Sequence, residues 1–224
     1  FRKAKGGIKF HTLYDITTQI PAFIHITTAK VNDVNAMDVI PYESEAYYIF
    51  DRGYVDYTRL HKITNHSAYF VIRAKSNLNF DRMYSRKVDK TTGVECDQIG
   101  KLAGFYVSKQ YPDKLRRVKF YDKETKRTFV FLTNNFELSA DQIALLYKNR
   151  WQVELFFKWI KQHLKIKCFW GTTENAVRIQ IYTAIIAYCL VAIVGYDLKI
   201  ERSTYEILQV LGISLLDKTP VNEL

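Results

Sequence analysis

Residues 141–164, DQIALLYKNRWQVELFFKWIKQHL, run for 24 positions without a Gly or a Pro. The stretch is rich in Leu, Lys, Gln and Glu, which lose little side-chain freedom in a helix, and it is predicted to form one long helix. Ser139 is the expected N-cap, and Gln142, three residues on, completes a capping box. At about 100° per residue, Tyr147, Arg150, Glu154 and Lys161 fall within a stripe roughly 60° wide. Leu146, Val153, Phe157, Ile160 and Leu164 take an adjoining face, and Trp151, Leu155, Phe156 and Trp159 cover much of the rest. The helix is therefore expected to be mostly buried, with one carboxylate held on a narrow polar strip between an Arg and a Lys. Taken alone, the pattern also suits an amphipathic core helix in which Arg150 and Glu154 form an i,i+4 ion pair.

The rest of the chain must supply what this helix packs against. Its 224 residues suffice for one large domain, or for a domain with an insertion. Hydrophobic residues make up 48% of the chain, so a substantial core is available. The formal charge of +10 favours a polyanionic partner. Cys96, Cys168 and Cys189 are odd in number and far apart, which fits neither a disulfide framework nor a zinc site and points to a reducing cytoplasm. The five histidines show no zinc spacing, and no Gly-rich phosphate loop or Ser/Cys nucleophile signature is present. The chain starts at Phe1, without a signal peptide, and is expected to be part of something longer.

In order, residues 8–16 and 19–29 read as two strands joined by a tight turn at Thr17–Thr18. A short helix is expected from Asp33 to Ile40, ended by Pro41. AYYIFD, residues 46–51, reads as a buried strand with an Asp at its end. A helix over 54–64 and a strand over 67–75 follow. Residues 76–137 change character, with short apolar runs, turn signals and 13 Lys and Arg against 8 Asp and Glu. They are read as an all-β insertion, with a hairpin around the charged turn 123–127. A basic, aromatic connector at 164–171 leads to a helix over 174–196. Its apolar portion of about 16 residues is short for a membrane span, so a buried core helix is expected and no membrane partner. A last helix is expected over 204–211, and a frayed tail from Asp217. The order of elements suits an α/β fold with a mixed sheet.

Asp51 is the second carboxylate of interest. A strand that ends in Asp delivers a carboxylate to the sheet's edge, and Gly53 lets the backbone turn sharply after it. The alternative is an Asp that caps the next helix. The spacing Tyr-x2-Arg-x3-Glu-x6-Lys at Tyr147, Arg150, Glu154 and Lys161 resembles the signature of DDE transposases of the insertion-sequence 4 type. YIFDRGY resembles the segment that carries the second Asp in that family. KGGIKFHTLYDITTQIP, residues 5–21, resembles its paired second and third strands, and AYFVIRAK its fifth.

The resemblance implies a ribonuclease-H-like fold, α/β with a mixed sheet and an all-β insertion before the long Glu-bearing helix. Residues 1–75 and 138–224 would then be the catalytic domain, and 76–137 the β-rich insertion. It further implies that Asp51 and Glu154 are catalytic ligands of Mg2+ or Mn2+, and that Tyr147, Arg150 and Lys161 bind DNA at the transposon end. The partners would be transposon-end and target DNA, handled by a homodimer, in a nucleoid-associated cytoplasmic location. The family pattern has a first Asp on the first strand. Asp15 imitates it, but the 35 residues between Asp15 and Asp51 are too few for the elements that should intervene. Asp15 is expected near a turn, the first Asp upstream of Phe1, and the chain alone inactive. A ribonuclease-H-like nuclease, or a DNA-binding remnant without catalysis, are the other readings.

Overall fold

Strong β-formers near the N-terminus pair locally. Strands β1 (Ile8–Asp15) and β2 (Ile20–Thr28) form a two-stranded sheet. Asp15 shapes the turn between them. One carboxylate oxygen accepts from the Thr17 amide at 2.8 Å, and the other from the Thr18 hydroxyl at 2.8 Å. Burial opposes ionisation of Asp15, but these bonds outweigh it and hold the carboxyl below its usual range. Asp15 therefore sits at the turn, as its spacing from Asp51 indicates. The computed structural model describes residues 7–163, 169–171, 173–202 and 204–214. Leu164, most of the 164–171 connector, Lys5, Gly6 and the tail from Asp217 lie outside them.

The second sheet has six strands in the order β3-β4-β8-β7-β6-β5. These are β3 (Tyr47–Phe50), β4 (Tyr69–Arg73), β5 (Phe80–Arg86), β6 (Val94–Leu102), β7 (Leu115–Asp122) and β8 (Arg127–Thr133). Helix α1 (Tyr57–Asn65) links β3 to β4, which pair in parallel with Phe50 opposite Ile72. Phe70, Val71 and Ile72 are fully buried, as expected of a strand covered on both faces. The other pairs are antiparallel, so the sheet is mixed, as a ribonuclease-H-like fold requires. The hairpin expected around residues 123–127 is β7–β8. Strand β8 lies directly against β4, Val71 opposite Thr133, so the strands of 76–137 continue the sheet that β3 and β4 begin. The short helix expected at 33–40 is a 3-10 helix over Asp33–Asp38.

The remaining helices are α2 (Phe105–Gln110), α3 (Ala140–Lys148), α4 (Trp151–His163), α5 (Glu174–Asp197) and α6 (Thr204–Ser214). The capping box at Ser139 and Gln142 opens α3. The single helix expected over 141–164 is instead two. The last turn of α3 tightens, the Arg150 amide donating to the Tyr147 carbonyl at 3.0 Å, and α4 starts afresh at Trp151. Asn149, whose side chain competes with helical hydrogen bonds, is the weakest helix former at the join. The two halves also answer to different cores. Ile143, Ala144 and Tyr147 of α3 pack with Val71, Val118 and Phe131. Phe156 of α4 packs 4.9 Å from the ring of Tyr188 on α5. Helix α4 is less buried than its composition suggests, with Phe156 and Ile160 inside but Trp151 and Leu155 exposed.

The chain divides into two compact units, Phe1–His11 with Thr27–Arg150, and Thr12–Ile26 with Trp151–Leu224. The first holds the six-stranded sheet, α1, α2 and α3. In the second, α5 packs with α4 and α6, and α4 and α5 meet the turn end of the β1–β2 hairpin. Tyr188 donates to the Gln19 carbonyl at 3.1 Å, and its hydroxyl lies 3.3 Å from that of Tyr14. The composition of α5 predicts a buried core helix. Instead it buries one face only, and 28% of its most apolar 18-residue window lies inside.

Candidate active site

Strand β3 is short because its sequence changes abruptly. Tyr48 and Phe50 point into the core, and the chain emerges at Asp51 with extended backbone. A three-residue 3-10 turn, Arg52–Tyr54, follows, and its first amide donates to Asp51 Oδ1 at 2.7 Å. Asp51 thus caps a single turn. The cap of α1 is a different residue, Asp56, which accepts from the Arg59 amide at 3.0 Å.

Helix α3 brings a second group to Asp51. The Tyr147 ring is buried, with its centroid 4.7 Å from that of Phe131 on β8. Its hydroxyl donates to Asp51 Oδ1 at 3.3 Å. Burial, and then the negative charge of Asp51, push the Tyr147 phenol up to about 12, while Arg150 and Arg73 pull the other way. The phenol therefore stays protonated at neutral pH and serves as a donor. The Arg150 guanidinium lies over the same ring, 5.8 Å from its centroid.

Arg73 is a site residue that the sequence reading missed. Because β3 and β4 run parallel with Phe50 opposite Ile72, the next residues, Asp51 and Arg73, emerge at the same edge of the sheet. The Arg73 guanidinium stacks 4.9 Å from the Phe129 ring centroid. The available signal was an Arg closing the apolar strand YFVIR, one parallel partner away from the Asp that closes YYIF.

Asp51, Tyr147, Arg150 and Arg73 thus meet in the first unit. Glu154 and Lys161 belong to the second, where both are exposed on α4. Seven residues apart, they lie about 20° from alignment after two turns and so share one face of that helix. The common stripe expected for all four signature residues holds only for these two, because the helix ends at Lys148 and a new one starts at Trp151, which puts Arg150 in the break. Among the described residues, no cluster of three or more His, Cys, Asp and Glu side chains is arranged to hold a metal. Asp51 fits as one ligand of such a site. Both of its described hydrogen bonds fall on Oδ1, which leaves Oδ2 as a hard oxygen donor suited to Mg2+ or Mn2+.

A six-stranded mixed sheet with helices, its parallel edge strand ending in a carboxylate, is consistent with the ribonuclease-H-like class of domains. The chain is a member of the family described as "Transposase DDE domain", whose model matches residues 2–190. It is 42% identical over 209 residues to "Putative transposase y4zB" of Sinorhizobium fredii, an alignment covering 91% of this chain and 57% of that protein. It is 33% identical over 189 residues to "Probable transposase for insertion sequence element IS5377" of Geobacillus stearothermophilus, covering 83% of this chain and 49% of the other. A Synechocystis protein, "Putative transposase for insertion sequence element IS4SA", is 27% identical over 186 residues, covering 82% and 52%. The chain thus spans about half the length of the curated relatives it matches.

Proposed function

We propose that this domain serves DNA transposition, as the catalytic portion of a DDE transposase of the insertion-sequence 4 type. Residues 1–75 and 138–224 form the catalytic domain, and 76–137 its β-rich insertion. Asp51 and Glu154 are the metal-binding carboxylates for Mg2+ or Mn2+. When bound, the divalent ions activate the attacking water or 3′-hydroxyl and stabilise the leaving oxygen. Tyr147 orients Asp51 through its hydroxyl. Arg150 and Lys161 bind transposon-end phosphates, Arg150 by paired hydrogen bonds and Lys161 as a compact charge. The working protein is a homodimer on paired DNA ends, in the cytoplasm at the nucleoid.

One observation carries this reading. The hydroxyl of Tyr147, the first residue of the signature, bonds to Asp51, the carboxylate that matches the family's second Asp. Nothing local in the sequence requires the two to meet. Residues 1–224 offer only two carboxylates that match the three-acid pattern, so this chain by itself is read as binding DNA without cutting it. The test is strand cleavage and transfer by the whole transposase carrying Asp51→Asn or Glu154→Gln. Both substitutions should abolish chemistry and leave end binding intact. Strand transfer retained by either variant would sink the assignment.

A further inference from the structure

The basic, aromatic connector after α4 has no part in the reading above. Its residues 169–171 carry Trp170, which at 89% is the most exposed of the chain's three tryptophans. Trp159 packs 4.9 Å from the ring of Tyr188, and Trp151 is 48% exposed. Phe169, beside Trp170, is exposed as well. Among the described residues, none accepts from the Trp170 indole N–H and no ring stacks on it.

The bare indole stands on a seated backbone. The Trp170 amide donates to Gln180 Oε1 on α5 at 3.1 Å. A Cβ at Gly171 would come within 2.4 Å of the Cβ of Ala176, so the chain lies pressed against the first turn of α5. Thr173 then caps α5, its hydroxyl accepting from the Ala176 amide at 3.2 Å. The backbone is held on both sides of the ring, yet the ring itself, which buries about 150–250 Å² when packed, has no described partner.

The surrounding charge indicates what covers it. Residues 155–173 contain four lysines and no Asp or Glu. Trp170 shares a compact unit with Lys158 and Lys161, both exposed on α4. Exposed lysines together with a free aromatic face hold nucleic acid by its backbone and its bases at once. In an intact duplex each base face is covered by the next base pair, so an indole needs a base that is terminal or unpaired. We propose that Trp170 stacks on a terminal or unpaired base of transposon-end DNA, while Lys161 holds phosphate. Phosphate contacts alone carry no information about the base, and Trp170 supplies a contact to one. The inference rests on the transposase reading and adds a base contact to it.

The test is equilibrium binding by the whole transposase without divalent metal, so that no strand is cut. Three probes share the transposon-end sequence. One is fully paired and runs on into flanking DNA, one has a single unpaired base at the element boundary, and one is cut there. Trp170→Ala should bind the second probe, the third or both about 10-fold more weakly, and the fully paired probe unchanged. Loss on the second alone identifies an unpaired base, and loss on the third alone a terminal one. The slope of log K against log salt should stay the same, because no phosphate contact is lost. Trp170→Phe should recover most of the affinity, and circular dichroism should be unaltered in both variants, because the side chain is exposed. Equal affinity of wild type and Trp170→Ala on every probe overturns the inference. So does equal loss on all three, which would mark a groove contact instead of a base face. Wild type that binds none of the probes would remove the transposase reading and this inference together.

Discussion

The Tyr147 hydroxyl donates to Asp51 Oδ1 at 3.3 Å across a sequence separation of 96 residues. The ring beneath it is fixed by Phe131 on β8 and the carboxylate by the end of β3, so the bond reports the relative placement of helix and sheet. Tyr147→Phe should keep the ring packing and lose only the donor. Its stability should drop by about 1 kcal/mol, against roughly 3–5 kcal/mol for Tyr147→Ala, which also leaves a cavity. If Asp51 is a metal ligand, the Phe variant should also bind Mn2+ about 10-fold more weakly, because a supporting hydrogen bond to the ligand is gone. Urea unfolding and Mn2+ titration separate the two effects, and unaltered Mn2+ affinity would count against the positioning role.

Alkaline pH should unfold the first unit in a defined window. Tyr147 and Tyr111 are both pushed up to about 12 from an ordinary 10.0, burial being the first cause in each. The folded state therefore favours the neutral phenol, and the unfolded chain ionises earlier. Their contribution is complete below about pH 10 and is lost as pH rises through about 12, on the order of 2 kcal/mol for each. Urea midpoints measured across that range should fall, and Tyr147→Phe should flatten the slope. A midpoint independent of pH up to about 12 would contradict the burial argument.

Arg116 should be the most sensitive charged position in the first unit. It is 1% exposed and grips Asp97 through two hydrogen bonds, of 2.9 and 2.8 Å. It also donates to the Leu138 carbonyl at 2.5 Å, just before the Ser139 cap of α3. Arg116→Ala leaves Asp97 buried without its partner and should cost about 3–5 kcal/mol. Arg116→Lys should not restore stability, since an ammonium cannot reproduce the two-pronged grip. Hydrogen exchange should show the start of α3 opening first. Loss of protection confined to β6 and β7 would mean that Arg116 does not hold the helix.

Salt dependence distinguishes phosphate binding from structural ion pairing. Removing one cation that neutralises a phosphate should lower the slope of log K against log salt by about 0.9. Arg150→Ala and Lys161→Ala are each expected to do so on transposon-end DNA. Arg59→Ala, whose guanidinium is engaged with Asp38 and Asp56, should leave the slope unchanged. Equal slopes for all three variants would remove Arg150 and Lys161 from the DNA surface.

Several features needed only local information. Two strands meet at a turn that Asp15 and the threonines after it close by themselves, and YYIF ends at Asp51 where apolar residues give way to Arg and Gly. The capping box at Ser139 and the hairpin around 123–127 are likewise written in neighbouring residues. The signature spacing pointed to Tyr147, Arg150, Glu154 and Lys161 because the family pattern is itself a sequence. Non-local packing decided the rest. The stretch 141–164 has the propensity for one helix, but Tyr147 is drawn into one core and Phe156 into another, and the chain breaks between them. Arg73 joins Asp51 only through the parallel register of β3 and β4, and Arg116 finds Asp97 only because β6 and β7 pair. Propensity, capping and turn chemistry act over a few residues and were legible. Strand register, burial and ion pairing between distant residues depend on which surfaces the folded chain brings together, and only the tertiary structure settles that.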